Sequence, residues 1–389
     1  VVLSVASLRR CVKHYFGSGL SGQNREFMNK TSKRVSPKVP SGSAYIASFA
    51  CVVPPLGVDQ AASAELVRNH YASKLSARSM GLVRATFSHP GIRKRHFAVD
   101  DPARIMDESP DQKIARFTEK SIELSCQAAV KALDQAGVSV RDVTALVVNT
   151  CTGYICPGIS TYLIERLGLP RNTRVYDLVG SGCGGAIPNL QVAESLLKAN
   201  GGVVVSVAVE ICSSVFQMGN DLSLILSNAL FGDGAAAAVL VAEPAGFELV
   251  ASAGRYVPEQ RDAIRFVHKE GQLHNQLSTG LPDLVKTAAA EVVADLLSSQ
   301  GLQTGDIGHW AFHTGGEKII NAVRDEVGVP EEQLMATRAV LANYGNMSSP
   351  TVWFVLEELL RNGIAAGEWC IMVAYGAGLS AHACLLRKT

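Results

Sequence analysis

The chain has 389 residues, 47% of them hydrophobic and 18% charged, with a formal charge of +1 and a pI near 7.7. That length supports a large core in two domains or one two-lobed unit, and the balanced charge excludes a whole-protein electrostatic footprint for nucleic acid. Nine cysteines without regular spacing or a Cys-x-x-Cys pair argue for a reducing compartment rather than a disulfide framework or zinc site.

Residues 1–42 form a basic segment. Its first 40 residues hold eight Lys or Arg, six Ser and one acid, Glu26, with Val5, Leu8, Val12 and Phe16 on one helical face. The pattern fits an organelle transit segment, which would place the protein in a plastid, or a basic helix packed on the body of a cytoplasmic protein. No apolar run reaches the roughly 18 residues that span a bilayer, so no membrane span is expected.

Beyond this segment, strand-like runs alternate with helical patterns. A helix over 121–137 precedes a strand over 143–151, and a strand over 173–179 opens through a glycine turn into a helix over 184–199. Strands follow over 201–210 and 234–242, then a helix over 281–301, a strand over 309–316, a helix over 351–363 and a strand over 369–378. The unit of helix, Gly-containing connection and strand ending in "NTCTG" recurs as helix, "GLQTGDIG" and strand ending in "HTGG". This implies an α/β protein of two duplicated halves, 43–248 and 249–389, with the join near 245–252.

The turn "GSGCGG" at 180–185 satisfies G-x-G-x-x-G, a dinucleotide fingerprint, with Glu210 at the end of the next strand as a candidate ribose ligand. It also presents one thiol, Cys183, at a strand-to-helix elbow, where free N–H groups and the helix dipole favour thiolate. A nucleophile needs a base and an oxyanion acceptor. Among the nine histidines, His313 stands out because it ends an apolar strand on a glycine turn. Asn343 and Asn346 lie in a Gly/Ser turn that opens a further helix and offer a neutral donor.

"GSGCGG", "ALFGDGAAA" (229–237), "HTGG" (313–316) and "YGNMSSP" (344–350) together resemble the motifs of the type III polyketide synthases, the chalcone synthase-like enzymes, over roughly residues 45–387. The resemblance implies a thiolase-like, five-layered αβαβα fold and a CoA-dependent, carrier-protein-independent acyltransferase. It makes Cys183 the acyl-accepting nucleophile, held as thiolate by His313. His313 and Asn346 would bind the thioester oxygen during malonyl decarboxylation, and Phe231 would be the gatekeeper between CoA tunnel and cavity. It further implies malonyl-CoA and an acyl-CoA starter as substrates, no cofactor or metal, and a homodimer in which Cys156 reaches the neighbouring cavity.

Cavity positions by the same resemblance read Cys151, Thr152, Cys156, Val215, Ser227 and Ser348, with His274 and Asn275 where chalcone makers carry a second gatekeeper Phe. Gly376 and Ala377 belong to the cavity-shaping glycine loop, which lacks its usual Pro. Arg84, His89, Arg93, Lys94 and Arg95 would lie near the CoA phosphates. These departures argue against a coumaroyl starter. The chain is similar in leader and pocket to brown-algal phloroglucinol synthase-type members, so a phloroglucinol-type product is expected. The alternatives are a long-chain acyl-primed alkylpyrone or alkylresorcinol synthase, a type III ketoacyl-carrier-protein synthase, an NAD(P)-dependent oxidoreductase and a catalytically silent scaffold.

Overall fold

The computed structural model describes residues 42–389, so the basic segment expected over 1–42 lies outside them but for Gly42. The first half starts with β1 (Ala44–Val52), β2 (Leu56–Asp59), α1 (Gln60–Tyr71), α2 (Ala77–Phe87) and β3 (Lys94–Phe97). Helix α3 (Pro110–Ala136) leads to β4 (Val143–Asn149), α4 (Ile159–Leu167) to β5 (Arg174–Leu178), α5 (Ala186–Asn200) to β6 (Val203–Glu210), and α6 (Leu222–Leu230) to β7 (Gly234–Val241). The second half comprises β8 (Phe247–Tyr256), the hairpin β9 (Ile264–Lys269) and β10 (Gln272–Leu277), and α7 (Leu281–Ser299). It continues with β11 (His309–Phe312), α8 (Glu317–Val327), α9 (Met335–Tyr344), α10 (Thr351–Asn362), β12 (Trp369–Gly376) and β13 (Ser380–Lys388).

The main sheet has nine strands in the order β11-β12-β13-β8-β1-β7-β6-β4-β5. In the first half β1 is antiparallel to β7, β7 is antiparallel to β6, and β6 is parallel to β4. The second repeats this with β8, β13, β12 and β11. The halves join edge to edge where Ile46 of β1 pairs with Phe247 of β8.

Burial explains the layering. Helices α5 and α10 pack Ala186, Ile187 and Leu190, and Val352, Val355 and Leu356, against the inner faces of both half-sheets. Outside, α3 and α4 cover Leu146, Val148 and Val205, while α7 and α8 cover Ile371, Val373 and Leu385. The strands are covered on both faces, which is why they read as unbroken apolar runs. The result is the thiolase-like αβαβα arrangement.

Several boundaries differ from expectation: the strand expected over 309–316 ends at Phe312, and two helix starts shift. Helix α3 starts at Pro110 rather than 121, because Ser109 and Gln112 form a capping box with Pro at the first helical position. Residues 110–120 bury only Lys113 and Phe117, so their apolar period is faint. The helix expected from 184 begins at Ala186, after a 3-10 turn at Gly182–Gly184. Among the described residues no helix is long and apolar enough to cross a membrane.

Candidate active site

Cys183 lies on that 3-10 turn, between the end of β5 and the N-terminus of α5, and is 8% exposed. Gly182 before it has φ +57, and a Cβ there would sit 2.7 Å from the backbone nitrogen of Ala377. Glycine is therefore demanded by both backbone angle and the close approach of the β12–β13 turn. Burial pushes the Cys183 thiol up to about 12, opposed most by a Ser348 hydrogen bond and also by Asn346, while the charge of Glu210 raises it further.

His313 follows β11 and is 1% exposed. Its N–H donates to Val373 O at 2.8 Å and its carbonyl accepts from the Tyr375 hydroxyl at 2.6 Å. The Tyr375 ring meets the imidazole edge-on at 5.2 Å, and Nδ1 has no hydrogen-bond partner among the described residues. Burial pulls the imidazole down to about 3. Burial thus works against charge on both groups, in the opposite sense to the helix end that favours a thiolate.

Asn346 comes from the turn before α10. Its N–H donates to Leu230 O and its carbonyl accepts from Gly232 N–H, both at 2.9 Å, so it is stitched to the segment carrying Phe231. Its Oδ1 accepts from Ser348 N–H at 2.7 Å, which turns the NH2 away, toward the Cys183 sulfur whose pKa its hydrogen bond lowers. Ser348 holds φ +60, a strained angle for a residue with a Cβ, and keeps this turn tight.

Cys183 and Phe231 line two cavities at once. The outer one also takes in His313, Asn346, Tyr375 and Gly376 and reaches the surface near His89, Gly91 and Lys318. The inner chamber takes in Cys151, Thr152, Val215, Ser227, Asn275, Ser348 and Ala377 and continues to Leu66, Val67, Ile105 and Met106. A third cavity shares Cys151, Thr152, Val215 and Ala377 with it.

Not every expected residue is there. His274 is outside all three cavities: strand alternation sends Asn275 inward, onto Ser227 Oγ at 2.8 Å, and His274 to the opposite face against Gln217 Oε1 at 3.2 Å. Cys156, which the resemblance assigns to a partner's cavity, is exposed and lines none of this chain's three. Of the residues expected near the CoA phosphates, only His89 lines the outer cavity, 3.4 Å from Glu317. Arg84 is exposed on α2, Arg93 bonds Asn343 Oδ1 at 2.8 Å, Lys94 folds over Gly57, and Arg95 is buried against the inner chamber instead.

The sequence reading missed the structural weight of Glu210. Fully buried at the end of β6, it accepts from the N–H groups of Cys151 and Thr152 at 2.9 and 3.1 Å and from Thr152 Oγ1 at 2.9 Å. It also accepts from Ser349 Oγ at 2.6 Å and Ser348 Oγ at 3.3 Å, tying loops of the two halves together. Burial raises its carboxyl pKa, with the Ser349 hydrogen bond foremost among the opposing effects. The available signal was an acid closing the apolar run "VVVSVAV".

A reactive-type thiol at a helix N-terminus, facing a histidine and an asparagine across the junction of a duplicated αβαβα fold, defines a thiolase-fold acyltransferase. Sequence comparison narrows the class. The family described as FAE1/Type III polyketide synthase-like protein matches residues 38–256, and the C-terminal domain of chalcone and stilbene synthases matches residues 248–389. The 3,5-dihydroxyphenylacetyl-CoA synthase of Streptomyces toyocaensis is 32% identical over 78% of this chain and 82% of its own. The 1,3,6,8-tetrahydroxynaphthalene synthase of Streptomyces peucetius subsp. caesius is 31% identical over 79% and 83%. The crystal structure of PKS-I from the brown alga Ectocarpus siliculosus superposes with a TM-score of 0.83 at 26% identity, covering 90% of this chain and all of that one. The chain belongs to the chalcone and stilbene synthase-like family and is a type III polyketide synthase.

Proposed function

We propose that the enzyme condenses malonyl-CoA iteratively onto an acyl group carried by Cys183 and closes the chain to a phloroglucinol-type ring. One observation carries the reading: Cys183 opens both to a surface-reaching cavity holding His313 and Asn346 and to an inner chamber, with Phe231 lining both. A CoA thioester enters by the outer cavity. The Cys183 thiol passes its proton to His313 as sulfur attacks the carbonyl, and His313 returns that proton to the CoA sulfur, so that CoA leaves as a thiol and the imidazole is neutral again.

In the next cycle malonyl-CoA loses CO2, and the electron pair forms a thioester enolate. Its oxygen is held by the His313 imidazole and the Asn346 NH2, neutral donors placed for a charge that exists only during reaction. The Phe231 ring disfavours the charged carboxylate and so assists its loss. The enolate carbon attacks the Cys183 thioester, expelling thiolate. This sequence needs no metal or redox cofactor and no carrier protein.

An aromatic product is supported by two of the relatives, which are named for hydroxylated aromatic products. A second reading is favoured by the chamber's apolar extension to Leu66, Val67, Ile105 and Met106, which suits an alkyl starter. Purified protein is given malonyl-CoA alone and then with acyl-CoAs of increasing length, and products are read by mass. Phloroglucinol-type product from malonyl-CoA is expected; alkylpyrone alone, or turnover only with acyl carrier protein, overturns the assignment. We also infer a homodimer. Edge strand β5 and its surroundings expose Tyr154, Tyr176 and Val179, at 72%, 41% and 57%, and a second copy would cover them.

A further inference from the structure

The end of α6 lies inside the protein, where its last carbonyls cannot turn to water. The Asn228 carbonyl accepts from Arg95 Nη1 at 2.7 Å and the Ala229 carbonyl from Gln60 Nε2 at 2.7 Å. The Leu230 carbonyl accepts from Asn346 N–H at 2.9 Å and the Phe231 carbonyl again from Arg95 Nη1 at 2.7 Å. Arg95 Nε donates to Gln60 Oε1 at 2.9 Å, so the two side chains act as one clamp reaching from α1 and β3 to the helix end.

This clamp is not built for charge pairing. Arg95 is 2% exposed and packs between the rings of Phe87 and Phe97, with guanidinium-to-centroid distances of 5.7 and 5.1 Å. No described carboxylate is in direct contact with it; Asp233 acts at longer range. Its charge is matched instead to the negative end of α6, and its planar fork reaches three acceptors at once. A stem this closely packed also touches the other half: a Cβ on Gly345 would meet Arg95 Cγ at 2.9 Å and Leu230 O at 2.5 Å.

We propose that Arg95, supported by Gln60, is a positioning residue of the reaction: it fixes the end of α6 and thereby sets the Phe231 ring and the Asn346 amide against Cys183. The proposal rests on the roles assigned above to those three residues. Phe231 and Asn346 share a backbone bridge, so movement of one carries the other. Cys183 is carried by a different turn, and among the groups that lower its thiol pKa Asn346 ranks behind Ser348, so its own reactivity depends only weakly on the clamp.

Arg95→Lys keeps the charge but loses the fork. Its kcat on whichever acyl-CoA the wild type turns over falls on the order of 10²-fold, with KM within about threefold, as expected for a misplacement of about 1 Å. Decarboxylation of malonyl-CoA falls in parallel, while iodoacetamide alkylation of Cys183 stays within about twofold. Gln60→Leu, which removes one arm, lowers kcat about tenfold in the same pattern. A kcat within about threefold of wild type in both variants overturns the proposal. So does a loss of kcat accompanied by equal losses of Cys183 alkylation and of the cooperative melting transition, which marks Arg95 as a fold residue only. Wild-type turnover of malonyl-CoA tests the assigned reaction separately.

Discussion

The two halves of the molecule repeat one topology and use it for opposite chemistry. Asn149 pairs with Ala208 in the first half and Phe312 with Val373 in the second, which makes Glu210 and Tyr375 equivalent, each two residues further along. Both buttress the loop after the neighbouring strand. Glu210 does so as a buried acid accepting from Cys151 and Thr152, Tyr375 as a neutral hydroxyl donating to the His313 carbonyl. The half that carries the nucleophile thus keeps an anion, bound in a net of donors; the half that receives the developing enolate has none at the equivalent place. A fixed negative charge beside His313 would oppose the charge that the reaction creates.

Removing the nucleophile from the first half gives the largest effect. Cys183→Ala should lower product formation by about 10⁴-fold or more, read as product mass per unit time from malonyl-CoA. Residual condensation near wild type would mean that another thiol carries the chain. Importing an anion into the second half comes next: Asn346→Asp should cost about 10²–10³ in CO2 release from malonyl-CoA. Iodoacetamide alkylation of Cys183 should slow but remain measurable in it, since the change removes one donor to the sulfur, and an unchanged rate of CO2 release would dissolve the contrast between the halves.

The acid of the first half supports structure. Glu210→Leu leaves several buried N–H and hydroxyl groups without an acceptor, and urea unfolding should show about 3 kcal/mol lost. A loss under about 1 kcal/mol would show that the net is dispensable.

The smallest predicted effect separates the halves by pH. Burial lowers His313 to about 3 and His382 to about 4 in the second half, and raises the carboxyls of Glu210 and Asp233 in the first. Below about pH 6.5 the unfolded chain therefore takes up protons that the buried imidazoles refuse, and their contribution to stability falls as pH drops. The raised carboxyls act with the opposite sign, since their cost is present at neutral pH and is relieved on acidification. Comparing wild type with His382→Leu isolates one imidazole. Between pH 7 and 5 the stability difference should move about 2 kcal/mol in favour of the variant, measured by urea unfolding at both values. No movement would place His382 in contact with water.

Much of this was legible beforehand. The turn around Cys183, the strand-end histidine and the Asn-Met-Ser turn are short, local and chemically distinctive, so their meaning survives without the fold. His274 and Asn275 show the limit: which of two neighbours faces a cavity depends on the register of the β9–β10 hairpin, and composition does not encode it. The basic run at 93–95 shows it again. Its three cations end in a side-chain bond to Asn343, over Gly57 and inside the core, although the residue types alone suggest one solvated cluster.

The amino-acid sequence by itself determined the duplicated α/β pattern, the identity of the reactive groups and the order in which the chain delivers them. Periodicity and glycine chemistry act over a few residues, within reach of a linear reading. Only the tertiary structure decided that Cys183 and His313 are both buried along one cavity, that Phe231 lines two, and that Glu210 is buried between the halves and Arg95 against the inner chamber. Those outcomes depend on desolvation and on partners more than a hundred residues away, as with Glu210 and Ser349 or Arg95 and Phe231, which no local pattern specifies.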